Sequence, residues 1–110
     1  MNTITLFKSE FKAIHTYNDT YFFRHDHKAI DNGSNMVEAQ EAVAVVPHAT
    51  YDTLVAGLIH TKYSPDAETA ILANYLADPS NEAHKAEFDE YQAWRAKVKE
   101  ACKEYFNNQK

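Results

Sequence analysis

The stretch AVAVVPHAT (residues 42–50) decides the fold, because the hydrophobic rhythm of the chain changes within it. Its first five residues are apolar at every position, which predicts a strand covered on both faces. Pro47 ends that strand by removing a backbone donor. Thr50 then supplies the N-cap of a helix whose apolar stripe begins at Tyr51. The chain is therefore predicted to be α+β, with strands before this stretch and helices after it.

Before this stretch, alternating side chains predict strands over residues 3–8, 11–17, 20–30 and 36–46. Asn18 and Asp19 suit the turn between the second and third strands, because both side chains bond nearby backbone and tolerate a left-handed conformation. Asn32-Gly33 is typical of a two-residue hairpin between the third and fourth strands. These signals predict an N-terminal antiparallel β-meander of three to four strands.

After this stretch, two further helices are expected. Ser64-Pro65 offers a capping hydroxyl followed by a proline at the first helical position. Ser80 or Asn81 begins the longest helix, which should extend to about residue 105. We expect the three helices to pack on one face of the sheet, in a single domain over residues 1–110 with a β-rich half (1–47) and a helical half (48–110).

Composition narrows the range of functions. The 110 residues carry a net charge of −5, which lowers the expectation of binding to nucleic acid or to an anionic membrane. The only glycines, Gly33 and Gly57, cannot build a glycine-rich phosphate loop, and we expect Gly57 to allow close packing of its helix. The one cysteine, the absence of a signal-like N-terminus and the absence of a membrane-length apolar run favour the cytoplasm.

The sequence His25-Asp26-His27 is the candidate metal site. Residues two apart on a strand share a face, so two imidazoles side by side can chelate a divalent metal. His15, on the neighbouring strand, is the candidate third ligand if the strand register allows it. The alternative is that the strand runs out of the core into solvent at this point.

The last helix carries the candidate protein-interface residues, which are aromatic or arginine side chains of the kind that anchor interfaces. They are Tyr91, Trp94, Arg95, Tyr105 and Phe106. The alternative for Trp94 is that it closes the core over the sheet. Cys102, on the same stripe, is expected to be a buried thiol rather than a nucleophile.

The C-terminal half also resembles a known group of proteins. The strings Y51-D-x-L-V55, Y63-S-x-D-x-E-x-A-I-x-x-N-Y75 and E87-F-x-x-Y-Q-x-W-R95 look like those of small bacteriophage and prophage tail-region proteins, some described as tail-fibre-assembly or tail-accessory proteins. The resemblance implies a structural or interaction role with protein partners, in the host cytosol or within a virion. It implies no catalytic residues.

The leading hypothesis is therefore a non-enzymatic interaction protein that binds a protein partner or itself, with no cofactor and no catalytic residue. One alternative is a small metal-binding module or metal-dependent enzyme centred on His25 and His27. Another is an acidic inhibitor of a host-defence protein, which would use its negative surface to mimic nucleic acid.

Overall fold

The computed structural model describes residues 2–30 and 35–109, which form four strands and three helices. The strands are β1 (Asn2–Phe7), β2 (Ile14–Tyr17), β3 (Thr20–Ala29) and β4 (Met36–Val45). A 3₁₀ turn (Lys8–Glu10) follows β1. The helices are α1 (Tyr51–Ile59), α2 (Pro65–Ala77) and α3 (Glu82–Asn107). This element order confirms the predicted α+β class.

The sheet is antiparallel and has the order β1-β4-β3-β2. Strands β2, β3 and β4 form the consecutive meander that the turn signals predicted, whereas β1 lies beside β4 at the opposite edge. Strand β2 begins at Ile14, three residues later than the alternation predicted. The predicted Asn32-Gly33 turn lies outside the described residues; the strands on either side of it, β3 and β4, pair antiparallel.

The turn between β2 and β3 agrees with its sequence signal. Tyr17 pairs with Thr20, and Asn18 between them adopts a φ of 55°, in the left-handed region that asparagine tolerates. The Thr16 hydroxyl donates to the Thr20 carbonyl at 3.1 Å across the same turn.

Each helix begins where its capping residue predicts. Thr50 and Thr53 form a reciprocal capping box at α1, and Ser64 accepts a bond from the Ala67 amide at α2. At α3 the cap is Asn81, whose side chain accepts from the His84 amide at 3.1 Å. These caps satisfy amide groups that the helix ends leave unpaired.

Helices α1 and α3 contact one face of the sheet, and α2 packs mainly against α3. Trp94 of α3 lies over β3, with its ring centroid 5.5 Å from that of Phe23 and 4.8 Å from that of His25. The largest fully buried side chains of the described residues come from α1 and α3: Leu54, Leu58, Val98 and Cys102. The core therefore lies between this sheet face, the inner face, and the helices.

Gly57 lets α1 approach β4 closely. A Cβ atom at this position would lie 2.8 Å from Val46 Cγ2 and 3.8 Å from Ala44 Cβ. The first distance is below normal van der Waals contact, and a β-branched valine has little freedom to move away. The expectation that Gly57 serves close packing is confirmed.

Helix α3 is the longest element, at 26 residues, and it carries charged residues along its exposed side. Across the described part of the chain, no helix is both long enough and apolar enough to span a bilayer.

Candidate protein-interaction surface

The face of the sheet away from the helices carries two rows of side chains at its β2–β3–β4 end. Directly opposed residues of antiparallel strands share a face, so His15, Phe22 and Val43 form one row. Tyr17, Thr20 and Val45 form the next row. These rows alternate with Tyr21 and Phe23, which face α3. We call the aromatic and apolar members of the two rows the outer patch: His15, Tyr17, Phe22, Val43 and Val45.

The outer patch is open to solvent. Tyr17 is 71% exposed, Val45 68% and Val43 43%, although each lies within a paired strand or directly at its turn. Val46, one residue after Val45, is buried against α1. At the other end of the outer face Val37 and Ala39 are buried, so the exposed valines of β4 lie at the end beside the Asn18-Asp19 turn.

This exposure corrects the prediction that residues 42–46 are covered on both faces. Ala42 is buried under the helices as predicted, but Val43 and Val45 are not covered. The physical reason is that α1 and α3 pack on the inner face, while α2 packs mainly against α3. No described helix is then left to cover the outer face.

An ion pair borders the outer patch. Arg24 Nε lies 3.2 Å from Glu41 Oε2, and these two residues oppose each other on β3 and β4 in the row after Phe22 and Val43. Both side chains are largely covered by their neighbours. An apolar centre edged by a satisfied charge pair has the organisation of a protein–protein contact, with an apolar core and a polar rim.

The α3 residues predicted to form an interface occupy two different environments. Tyr91 and Trp94 are 3% and 2% exposed, so neither can anchor a surface contact, and the core alternative for Trp94 is confirmed. The Trp94 Nε1–H donates to the Ile59 carbonyl at 3.3 Å. Tyr105 and Phe106 are half-buried and pack edge-to-face at 5.1 Å. The interface prediction is corrected for the first pair because α3 uses its aromatic stripe to close the core.

Arg95, the fifth predicted interface residue, is half-buried beside the core. Its guanidinium carbon lies 5.7 Å from the Tyr91 ring centroid, and its Nη1 donates to Gln92 Oε1 at 2.9 Å. The cation–π contact and the hydrogen bond fix the side chain along the helix.

The three candidate metal ligands are not brought together. The β3–β4 register shifts between His25 and Lys28, and Asp26 there has a φ of 52°. This bulge breaks the two-residue alternation that was expected to put His25 and His27 side by side. His27 is exposed and lies against Phe11, with ring centroids 4.3 Å apart. His25 instead packs on Trp94.

His15 lies on the other face of the sheet from His25. It opposes Phe22 on β3 and belongs to the outer patch, whereas His25 faces α3. Among residues 2–30 and 35–109, no group of three or more His, Cys, Asp or Glu side chains is placed to hold a metal ion.

The buried His25 instead connects the bulge to α3 through Asp26. Its Nδ1 lies 2.9 Å from Asp26 Oδ2, while Lys97 Nζ donates to Asp26 Oδ1 at 2.6 Å. The hydrogen bonds from Lys97 and His25 lower the pKa of Asp26. Burial lowers the pKa of His25 and outweighs the opposing bond to Asp26. His25 is therefore a neutral imidazole that donates its Nδ1–H to the Asp26 carboxylate. Since Lys97 bonds the same carboxylate, Asp26 links β3 to α3.

A second polar cluster joins the three helices and was missed by the sequence analysis. His60, at the C-terminal end of α1, places Nε2 2.7 Å from Oε1 of Glu68 on α2, and the Tyr91 hydroxyl of α3 donates to Glu68 Oε2. These residues are 8 and 23 positions apart, so no local spacing could have revealed the cluster.

The electrostatics of this cluster hold Glu68 and Tyr91 each in one protonation state. Burial opposes the ionisation of Glu68, but the hydrogen bonds from Tyr91 and His60 outweigh it and lower the pKa of the carboxyl. Burial and the bond to Glu68 raise the pKa of Tyr91 to about 12. A carboxylate that stays ionised and a phenol that stays protonated near neutral pH hold the helices together and are poorly suited to proton transfer.

Cys102 is similarly unsuited to chemistry. Its side chain is fully buried on α3, and burial raises the pKa of the thiol to about 12. Because the thiolate is the reactive form, this thiol is inert while the protein is folded.

The residues that carry the resemblance to phage tail-region proteins pack and cap the helices. Ser64 caps α2, and Tyr75 of α2 stacks on Phe88 of α3 with ring centroids 4.2 Å apart. Tyr63 packs edge-to-face on Tyr91 at 5.1 Å.

Comparisons of the chain with protein-family models, curated proteins and solved structures gave no significant match.

Proposed function

We propose that this chain is a non-enzymatic accessory protein that binds a partner protein through the outer patch. The observation that carries the proposal is the uneven cover of the sheet, in which Val46 is buried while Val45 and Tyr17 face solvent. Leaving apolar side chains of a paired strand in water costs about 25 cal/mol per Å² of apolar surface, a cost that a bound partner removes. Contiguous exposed apolar surface of this kind marks interaction sites on soluble domains.

The chemistry of the outer patch defines the partner surface that fits it. Its centre has two valines and an aromatic ring on a rigid, hydrogen-bonded sheet, which supplies contact area at little entropic cost. The Tyr17 hydroxyl and the Arg24–Glu41 ion pair lie around that centre. We therefore expect a partner that presents a flat apolar surface with hydrogen-bonding groups at its margin.

The non-enzymatic part of the proposal is supported by how the titratable groups are used. The Glu68 carboxylate bonds two helices, the His25 imidazole is buried against Trp94, and the Cys102 thiol is fully buried. Each of these side chains is occupied by packing or by a structural hydrogen bond.

We further propose that the partner belongs to a phage or prophage tail or assembly system. The support for this assignment is the residue pattern of the C-terminal half, in which Ser64, Trp94 and Arg95 are prominent. The protein would then act in the host cytosol or as part of a virion.

Site-specific photo-cross-linking in the cell that naturally produces the protein tests the proposal. A photoreactive phenylalanine analogue at position 17 should give one discrete cross-linked product, and Val45→Asp in the same chain should abolish that product. The matched control places the analogue at position 76, where Leu76 is 76% exposed but lies on α2. Equal products from positions 17 and 76, or none from position 17, would overturn the proposal.

A further inference from the structure

The free edge of β1 is a second surface, distinct from the outer patch. The Lys8 amide donates to the Asn35 carbonyl at 2.6 Å, which continues the β1–β4 register by one pair. Hydrogen-bonded pairs alternate along an antiparallel ladder, so the even-numbered residues of β1 bond to β4. The backbone N–H and C=O groups of Thr3 and Thr5 therefore point away from the sheet. The Phe7 N–H does so as well, while the Phe7 carbonyl also begins the 3₁₀ turn.

Over residues 2–7, this edge lacks the features that usually protect a strand from pairing; the 3₁₀ turn and its charged Lys8 begin only after Phe7. The six residues of β1, NTITLF, include no charge and no proline, and their register with β4 is unbroken. Natural edge strands are normally shortened, bulged, charged or covered. At the other edge, β2 has only four residues, and Tyr105 and Asn108 at the end of α3 lie beside it across a groove.

The sequence of β1 is complementary to itself. Two antiparallel copies with Thr5 opposite Thr5 place Thr3 opposite Phe7, so each outward amide of one strand meets a carbonyl on the other. At Phe7 that carbonyl uses its second lone pair, because the first serves the 3₁₀ turn. In this register Ile4 lies opposite Leu6 on the face that already holds Ala39 and Val37. Apolar pairs of this kind stabilise adjacent strands.

Charge also favours this register. A net charge of −5 on each copy opposes association at long range, but the paired strands carry no charge of their own. Lys8 of one copy comes opposite Asn2 of the other, and Asn2 lies opposite Glu41 in its own sheet. The lysine and glutamate backbones are then about 10 Å apart, two strand spacings, within reach of their long side chains.

We infer that the occupant of the β1 edge is a second copy of this chain, bound strand to strand across a two-fold axis at Thr5. The product is one continuous eight-stranded sheet with both sets of helices on its inner face. This contact goes beyond the proposed function and does not depend on the outer patch. Because six-residue strand addition is a small interface, the dimer forms in a concentration-dependent way.

Cysteine cross-linking tests the register. In the proposed dimer the two Thr5 Cα atoms lie about 5.5 Å apart, within disulfide range, whereas the two Thr3 Cα atoms lie about 14 Å apart. Thr5→Cys should form a disulfide dimer under mild oxidation, and Thr3→Cys should remain monomeric. The native thiol of Cys102 is fully buried and does not compete. Equal cross-linking of the two variants, or none of Thr5→Cys, would overturn the inference.

Light scattering over a concentration series tests the contact without a new thiol. The mass of the unaltered protein and of Thr5→Val should rise towards twice the monomer mass. Thr5→Pro removes an outward amide but no β1–β4 bond, so it should fold and stay monomeric. Should Thr5→Pro fail to fold by circular dichroism, Thr5→Lys takes its place, because it sets like charges opposite each other at the axis.

The same measurements separate this inference from the proposed function. Val45→Asp should lose the cross-link to the partner protein, but its mass should still rise with concentration. Thr5→Pro should keep the cross-link and stay monomeric at every concentration. An unaltered protein that is monomeric at every concentration would contradict the β1 contact and leave the proposal for the outer patch unaffected.

Discussion

The two faces of the sheet are built from alternate residues of the same strands, yet at the β2–β3–β4 end one face is buried and the other is exposed. On the inner face Tyr21 and Phe23 pack against Tyr105 and Trp94 of α3. On the outer face Phe22 is half-buried and Val45 is exposed. Both faces carry aromatic and aliphatic side chains at this end of the sheet, so hydrophobicity alone did not decide which one is covered.

The difference shows that burial depends on which layer is available to pack on a strand. A run of apolar residues predicts a strand that is stabilised by apolar contacts on both of its faces. The run does not say which element supplies those contacts. Here α1 and α3 supply that contact on the inner face. On the outer face no described helix supplies such contacts, and Val43 and Val45 stay exposed. We propose that another protein covers them.

The largest expected effect comes from removing the ring that closes the inner face. Trp94→Ala should lower the free energy of unfolding by about 3–5 kcal/mol, because it leaves a cavity between α3 and β3 and removes one of the hydrogen bonds that the Ile59 carbonyl accepts. Denaturant titration followed by circular dichroism measures this loss. A change below about 1 kcal/mol would mean that the inner face is not the core.

A smaller effect is expected where α1 meets β4. Gly57→Ala gains about 1 kcal/mol of helix propensity but forces a methyl group against Val46, at a cost of about 1–3 kcal/mol. We expect net destabilisation of about 1 kcal/mol. In a Val46→Ala background the clash disappears, so the same substitution should become stabilising; the same effect in both backgrounds would refute the close approach.

The helix cluster around Glu68 gives a pH-dependent effect that is smaller again. Because the pKa of Glu68 is lowered on folding, its contribution to stability is complete above its ordinary value of 4.5 and is lost as pH falls through the lower folded-state pKa. Glu68→Gln should be less stable at neutral pH and should lose part of the decline on acidification. Parallel pH–stability curves for the two proteins would show that the bonds from His60 and Tyr91 do not favour the carboxylate.

The smallest effect is expected on the outer face. Val45→Ser should change the free energy of unfolding by no more than about 0.5 kcal/mol, since the side chain is already in solvent. The substitution is compared with Val46→Ser, which replaces two buried methyl groups with a hydroxyl one residue away. Equal losses at the two positions would erase the distinction between the faces.

The elements that the sequence predicted well are those encoded locally. Thr50, Ser64 and Asn81 cap their helices because a capping bond joins residues three apart, and Pro47 lies two residues after the end of β4. Asn18 marks a turn for the same kind of reason. Such signals need no knowledge of the rest of the chain.

The features that were missed depend on contacts between distant residues. The placement of β1 beside β4 and the bond from His60 to Glu68 have no local sequence signal. The bulge at Asp26 was missed because aspartate has no Gly-like preference strong enough to announce a left-handed residue within a strand. That single bulge separated His25 from His27 and removed the basis of the predicted metal site.

The central claim is that the helices cover the inner face of the sheet and leave the β2–β3–β4 end of the outer face open. The most direct test is the solvent accessibility of valine methyl groups by NMR. A soluble paramagnetic chelate should strongly attenuate the methyl signals of Val43 and Val45 and spare those of Val46 and Val98. Equal protection of Val45 and Val46 in the free protein at low concentration would contradict the account.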